Sequence, residues 1–194
     1  MIKLFQQRFD ESTELLQSVR SNNQIQTTIK KAISRIVSCF RDKNKVMFCG
    51  NGGSAADAQH LAAELSGKFY LERKPLPAEA LHVNSSYITA VANDYSFDHI
   101  YSRYVSGAGK ENDVLVGLST SGNSQNIIRA FRAARENGIT TIGFTGKTGG
   151  ELKNYSDLLI NIPSENVPRI QEMHLLIGHI ICESVEHELF GNVD

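Results

Sequence analysis

Two side chains able to share a proton or a metal ion, His60 and Glu64, stand four residues apart just after the run Gly50-Asn51-Gly52-Gly53-Ser54. On a helix that spacing puts both on one face, one turn apart, so the imidazole and the carboxylate converge. The glycine run itself follows an apolar stretch, Val46-Met47-Phe48-Cys49. A strand, a glycine turn and a helix N-terminus together offer an anion a set of backbone N–H groups and the positive end of a helix dipole. A phosphate cradle one to two turns from an acid–base or metal pair suits an enzyme acting on a small phosphorylated molecule. The spacing alone also fits an exposed i,i+4 contact with no chemistry, so both readings stand at this point.

A second polar run, Ser119-Thr120-Ser121-Gly122-Asn123-Ser124, follows the apolar Val114-Leu115-Val116-Gly117 and precedes a helical stripe of Ile127, Ile128, Ala130 and Phe131. It holds no lysine, so it is not a nucleotide P-loop. Short hydroxyls and amides suit a phosphomonoester; the alternative is a helix cap built from Ser121 or Asn123. Near the C-terminus, Gln171 and His179 lie in a strongly apolar helical segment. A polar group there is hydrogen-bonded, metal-bound or turned to a cavity. His174, in the same segment, reads as an ordinary core histidine. Arg169, after Pro168, could hold an anion or cap a carbonyl. Asn93-Asp94 closes the segment Ile88-Thr89-Ala90-Val91-Ala92 and reads either as turn chemistry or as a pair aimed at sugar hydroxyls.

These residues need a frame. From Lys45 onward, short apolar strands at 45–49, 79–83, 113–118, 140–144 and 157–162 alternate with helical stretches near 53–67, 85–93, 97–106, 123–137, 147–153 and 168–190. Such alternation predicts an α/β fold, a parallel sheet with helices on both faces. Ligands in such folds bind outside the carboxyl ends of the strands, where the glycine and serine runs fall. Residues 3–42 predict two helices broken near Ser21-Asn22-Asn23. Phe5, Phe9, Leu16 and Val19 form one stripe, and Ile25, Ile29, Ile33, Ile36, Val37 and Phe40 another. Both could pack on their own chain or between protomers. In the last helix, Ile170, Met173, Leu175, Leu176, Ile177, Ile180 and Ile181 cover most of the circumference, which predicts a largely buried helix.

The bulk properties exclude several classes. A 194-residue chain with 41% hydrophobic and 21% charged residues suits one soluble domain with a helical extension. A formal net charge of -1 offers no footprint for nucleic acid. No apolar run approaches the roughly 20 residues of a membrane span, and residues 1–7 lack the apolar middle of a signal peptide. Three scattered cysteines, Cys39, Cys49 and Cys182, predict buried thiols in a reducing, cytoplasmic setting.

Taken together, Gly50 to Ser54 with Asp57, His60 and Glu64, then Asn93-Asp94, the run Ser119 to Ser124, and Arg169-Ile170-Gln171-Glu172 followed by His179 resemble the bacterial phosphoheptose isomerases of the sugar isomerase (SIS) superfamily. The resemblance covers essentially the whole chain. It implies a three-layer α/β sandwich at 45–194 with a helical segment at 1–44 that packs in the oligomer. It also implies conversion of D-sedoheptulose 7-phosphate to D-glycero-D-manno-heptose 7-phosphate through an enediol, toward the heptose of the lipopolysaccharide core. By the same resemblance the protein is a homotetramer with active sites between protomers and one zinc ion per subunit. His60, Glu64, Gln171 and His179 would be the metal ligands, with Glu64 as base and His179 as acid. Asn51, Gly52, Gly53, Ser119, Thr120, Ser121 and Ser124 would meet the sugar phosphate, with Asn93, Asp94, Glu64 and Gln171 near the sugar. Gln171 and His179 are eight residues apart, about 12 Å of helical rise. One ion reaches both only through a distorted helix, an indirect contact or a site shared between protomers. The alternative within the superfamily is a non-catalytic protein that binds the bacterial replication initiator.

Overall fold

The apolar runs Val46–Gly50 (β1) and Val114–Ser119 (β3) are buried at every position, as central strands of a sheet covered on both faces must be. They pair in parallel and carry Thr140–Thr145 (β4), Leu158–Asn161 (β5) and the three-residue edge strand Ala78–Ala80 (β2), giving the order β2-β1-β3-β4-β5. The computed structural model describes residues 2–191. Residue 1 and residues 192–194, the outer ends of the two segments drawn from the sequence, lie outside the described residues.

Ile2–Ser21 (α1) packs against Val167–Phe190 (α7), which with Asn23–Arg41 (α2) and Gly53–Ser66 (α3) covers one face of the sheet. The other is covered by Ser85–Asp94 (α4), Ile100–Ala108 (α5) and Gln125–Glu136 (α6). Each face has its own apolar core: Ile36, Phe48, Leu61, Val116 and Ile177 belong to the first, and Met47, Leu115, Ile127 and Phe131 to the second. The predicted break between the first two helices falls at Asn22, whose Oδ1 accepts from the Gln24 and Ile25 amides at 3.0 and 3.1 Å and caps α2. Cys39, Cys49 and Cys182 are free and buried. No helix among the described residues is long and apolar enough to cross a membrane.

Four expectations need correction. The strand predicted at 79–83 is short because Asn84 caps α4, its Oδ1 accepting from the Tyr87 amide at 3.1 Å, and the chain turns away from the sheet. The helix predicted at 97–106 begins as a 3-10 turn over Phe97–His99. The helix predicted at 147–153 does not form: Gly149 and Gly150 sit at φ +72° and +53°, two successive left-handed residues that no right-handed helix contains, and only a 3-10 turn at Leu152–Tyr155 follows. Finally, α7 is not buried all round. Leu176 and Ile180 are 37% and 43% exposed, and on α1 Phe5 and Phe9 are more exposed still. A groove of about 650 Å³ runs between α1, α2 and α7, lined among others by Leu16, Ile29, Ile33, Leu176 and Ile180. No described residue fills it.

His174 is the core histidine the sequence suggests. It is fully buried against Phe144, its Nε2–H donates to the Thr145 carbonyl at 3.2 Å, and Nδ1 has no partner. Burial pushes the imidazole down to about 4, against the pull of that carbonyl. Between the unfolded value near 6.5 and about 4, the unfolded chain binds a proton there that the folded chain does not. Stability is therefore expected to fall with pH through this window, by about 1.4 kcal/mol per unit from this group. Urea midpoints of His174→Gln should show a shallower pH slope than wild type; equal slopes would remove His174 as the cause.

Candidate active site at the carboxyl edge of the sheet

Register places the two polar runs side by side. Gly50 pairs with Leu118, so the loops after β1 and β3 leave adjacent strands where the strand order reverses, the position at which doubly wound sheets bind ligands. Tyr101 Oη donates to the Gly50 carbonyl and pins the end of β1. The loops are joined by a reciprocal amide pair: Asn51 Nδ2 donates to Asn126 Oδ1 at 3.0 Å and Asn126 Nδ2 to Asn51 Oδ1 at 2.8 Å. Asn126 is buried, and its Oδ1 also accepts from the Ile127 amide at 3.0 Å.

The serine run closes on itself. Ser119 Oγ lies 3.1 Å from Ser124 Oγ, and Ser121 Oγ accepts from the Asn123 amide at 3.1 Å. The alternative reading, a helix cap from Ser121 or Asn123, is not what forms. Ser124 precedes α6 without a side-chain cap bond, and Gly52 precedes α3 likewise. Two helix starts thus face the space between the loops with amides left for a ligand. The loop is buttressed by the turn misread from the sequence as helix: Gly146 N donates to Thr120 O at 2.9 Å, Leu152 N to Gly122 O at 2.8 Å, and Glu151 N to Asn123 Oδ1 at 2.9 Å. Gly122, at φ +66°, would place a Cβ 2.2 Å from the Gly149 carbonyl oxygen, so the backbones meet only because no side chain intervenes.

The chemistry-bearing pair extends from this cradle along α3. Helix α7 runs beside α3 in the same direction: Gln171 lies over Gly53 and donates to Ser54 Oγ at 3.4 Å, and Gly178 packs directly on Leu61. His179 consequently meets His60, ring centroids 4.9 Å apart. His60 Nε2 is 3.0 Å from Glu64 Oε1, and one donor atom from each of His60, Glu64 and His179 falls within 4.8 Å of the others. His179 Nε2 is buried with no hydrogen-bond partner. Two nitrogens and a carboxylate oxygen, one nitrogen orphaned, form a donor set that fits a zinc ion. One turn earlier, Asp57 also has a buried, unpartnered Oδ2, and burial raises its carboxyl while His60 lowers it.

The remaining sequence candidates fall elsewhere. Gln171 sits at the glycine loop, and its amide goes to Ser54 rather than to the three clustered donors. Asn93 and Asp94 are exposed at the end of α4, where Asn93 Nδ2 donates to Asp94 Oδ1 at 2.9 Å. No hydrogen bond among the described residues ties them to the loops. Arg169 caps a carbonyl, that of Arg8 at 3.2 Å, and pairs with Glu172. Asn126 and Tyr101 escaped the sequence reading. The placement of Asn126, second in the helix after the serine run, was the one available signal.

A sequence profile of the SIS domain matches residues 7–146. The chain is 50% identical over 191 residues to a protein of Clostridium acetobutylicum named phosphoheptose isomerase, covering 98% of this chain and 97% of that one. It is similar in structure to a phosphoheptose isomerase from Neisseria gonorrhoeae, with a TM-score of 0.89, 39% identity, and 95% and 97% of the two chains covered. A phosphoheptose isomerase from Francisella tularensis gives 0.91 at 36% identity, with 96% and 98% covered.

Removing the Asn126 amide leaves Asn51 unpaired between the loops. Asn126→Ala is expected to lower stability by about 1–3 kcal/mol in denaturant titration and to weaken inorganic phosphate binding measured by calorimetry. Unchanged phosphate affinity would separate this bridge from the anion site.

Proposed function

We propose that this chain, which belongs to the SIS domain family, is a sugar-phosphate isomerase, a phosphoheptose isomerase that converts sedoheptulose 7-phosphate to the corresponding aldoheptose 7-phosphate. The observation that carries the reading is the cluster of His60, Glu64 and His179 beside two uncapped helix starts at one sheet edge. The names of relatives aligned over nearly the full chain agree with it. They lend no support to the alternative of an initiator-binding protein.

The loops hold the phosphate through the amides around Gly52 and Gly53 and the hydroxyls of Ser119, Thr120, Ser121 and Ser124. Asn51 is held by Asn126 at their junction, and Asn93, Asp94 and Gln171 take sugar hydroxyls. Glu64 removes the proton from C1 of the ketose. His60, 3.0 Å from Glu64 Oε1, orients that carboxylate and leaves Oε2 without a hydrogen bond among the described residues. His179 gives a proton to O2 as the enediol forms; a proton then leaves O1, C2 gains one, and the aldose results. His60, Glu64 and His179 would hold zinc, which when bound supplies Lewis-acid polarisation of the carbonyl. Gln171 joins them only from another protomer or through an intermediary.

Two further parts of the reading rest on the surface and the cysteines. The open groove along α7 and the exposed Phe5 and Phe9 support residues 1–44 as an assembly segment of a homotetramer, with residues 45–194 as the SIS domain. The three free thiols fit a reducing cytoplasm, where the product would feed lipopolysaccharide heptose synthesis.

Incubation with sedoheptulose 7-phosphate in D₂O, followed by NMR, should yield an aldoheptose 7-phosphate deuterated at C2. No product from folded, zinc-supplied protein would overturn the assignment. Glu64→Gln and His179→Gln should each lower kcat by at least about a hundredfold; near-normal turnover in either removes that residue from the mechanism. Ile180→Glu, which charges the groove, should dissociate the assembly in sedimentation and abolish activity. A fully active monomer would refute shared sites.

A further inference from the structure

Behind the His60–Glu64–His179 cluster lies a buried ion pair that the proposed chemistry does not use. Glu186, on α7, is 1% exposed, and its carboxylate accepts four bonds from one loop: from the Phe69 amide at 2.9 Å and Arg73 Nε at 2.7 Å on Oε1, and from the Tyr70 and Leu71 amides at 2.7 and 2.9 Å on Oε2. The Arg73 side chain is equally buried. Beyond Glu186 it donates to four carbonyls: those of Leu65 at 2.9 Å, Gly67 at 3.1 Å, Lys74 at 3.1 Å and Glu64 itself at 2.9 Å. The last carbonyls of a helix have no partners within it, so one guanidinium fork closes the carboxyl end of α3 at the residue that carries the candidate base.

The other arm of the contact reaches His179. Glu186 is seven residues further along the same helix, about 10 Å of rise, and it holds the amide of Phe69. The Phe69 and His179 ring centroids are 5.7 Å apart. Glu64 and His179 come from different helices, and this is where both helices and the loop between them are tied to one ion pair. A buried pair is weak evidence of stability, because apolar residues of similar volume often serve as well. Its geometry here is directional, which points to placement rather than adhesion.

We infer that Arg73 and Glu186 are positioning residues of the isomerase, locking the carboxyl end of α3 to α7 so that Glu64, His60 and His179 stay in register for proton transfer and metal binding. The inference rests on the isomerase reading given above. Misplacing a reacting group by about 1 Å can lower a rate a hundredfold, and loss of outer partners of a metal site lowers affinity or activity by about 10–100-fold. The phosphate loops lie at the other end of α3, so substrate binding should be spared.

The test is the full-length double variant Arg73→Met/Glu186→Met, which replaces the pair by apolar side chains without leaving one charge unpaired. Urea midpoint, kcat, KM for sedoheptulose 7-phosphate and Co(II) affinity from its visible absorption are measured against wild type. The expected result is a folded protein with kcat and Co(II) affinity each lowered at least about tenfold and KM within about twofold. Wild-type kcat and Co(II) affinity in the folded double variant would overturn the inference. Should that variant not fold, Arg73→Lys keeps the charge opposite Glu186 but gives up the fork to the carbonyls. It should lose kcat and Co(II) affinity in the same direction, and wild-type values in it overturn the inference equally. If wild type isomerises no sugar phosphate, the isomerase reading falls. The Co(II) titration then decides the clamp alone: tenfold loss supports it and unchanged affinity overturns it.

Discussion

Much of the site depends on one close contact, Gly178 of α7 against Leu61 of α3. A Cβ at position 178 would stand 2.5 Å from a Leu61 methyl, so the two helices approach as they do only because that position carries no side chain. The next residue is His179 and the previous one on the facing helix is His60. Helix proximity therefore translates directly into ring proximity, 4.9 Å between centroids. Because α3 and α7 run in the same direction, the contact also sets Gln171 over Gly53 at one end and Glu186 against the 67–73 loop at the other. A shift of one helix along the other would move all three meeting points together.

The anion end is governed by backbone rather than side-chain geometry. The sheet places β1 and β3 next to each other, and three loops converge at their carboxyl ends: the glycine loop, the serine loop and the turn at Gly149-Gly150. Each is held by main-chain bonds or by the Asn51–Asn126 bridge, so the amides facing the cradle are fixed before a ligand arrives. Such preorganisation lets dipoles act on a phosphate without first reorienting. The cradle of loops and the helix-borne cluster of His60, Glu64 and His179 are thus separate constructions joined by α3, which starts in one and ends in the other.

The surface follows the same division. Polar loops lie at the carboxyl edge of the sheet, while apolar residues of α1, α2 and α7 remain uncovered along the groove at Leu176 and Ile180. An exposed apolar patch of this extent is a candidate contact surface. It lies on the helix that carries His179, so contacts made there bear on the site itself.

Local chemistry made a large part of this legible in the sequence. Continuous apolar runs declared the buried strands, glycine and hydroxyl clusters declared the loops after β1 and β3, and the i,i+4 spacing put His60 and Glu64 together, because each depends on neighbours in the chain. The failures share a cause in contacts between distant segments. The stretch 147–153 has helical composition, yet it forms a turn because two glycines adopt positive φ where the serine loop needs a backbone close by. Leu176 and Ile180 look like core residues, yet they are exposed, because whether an apolar side chain is covered depends on what packs over it. Asn126 is unremarkable until the sheet brings it to Asn51. Residue types and spacing determined which groups could do chemistry and on what kind of element. Only the tertiary structure decided that His179 would meet His60 and Glu64 while Gln171 of the same helix would reach Ser54, because helix-to-helix register is set by packing at Gly178 and Leu61, more than a hundred residues apart in the chain.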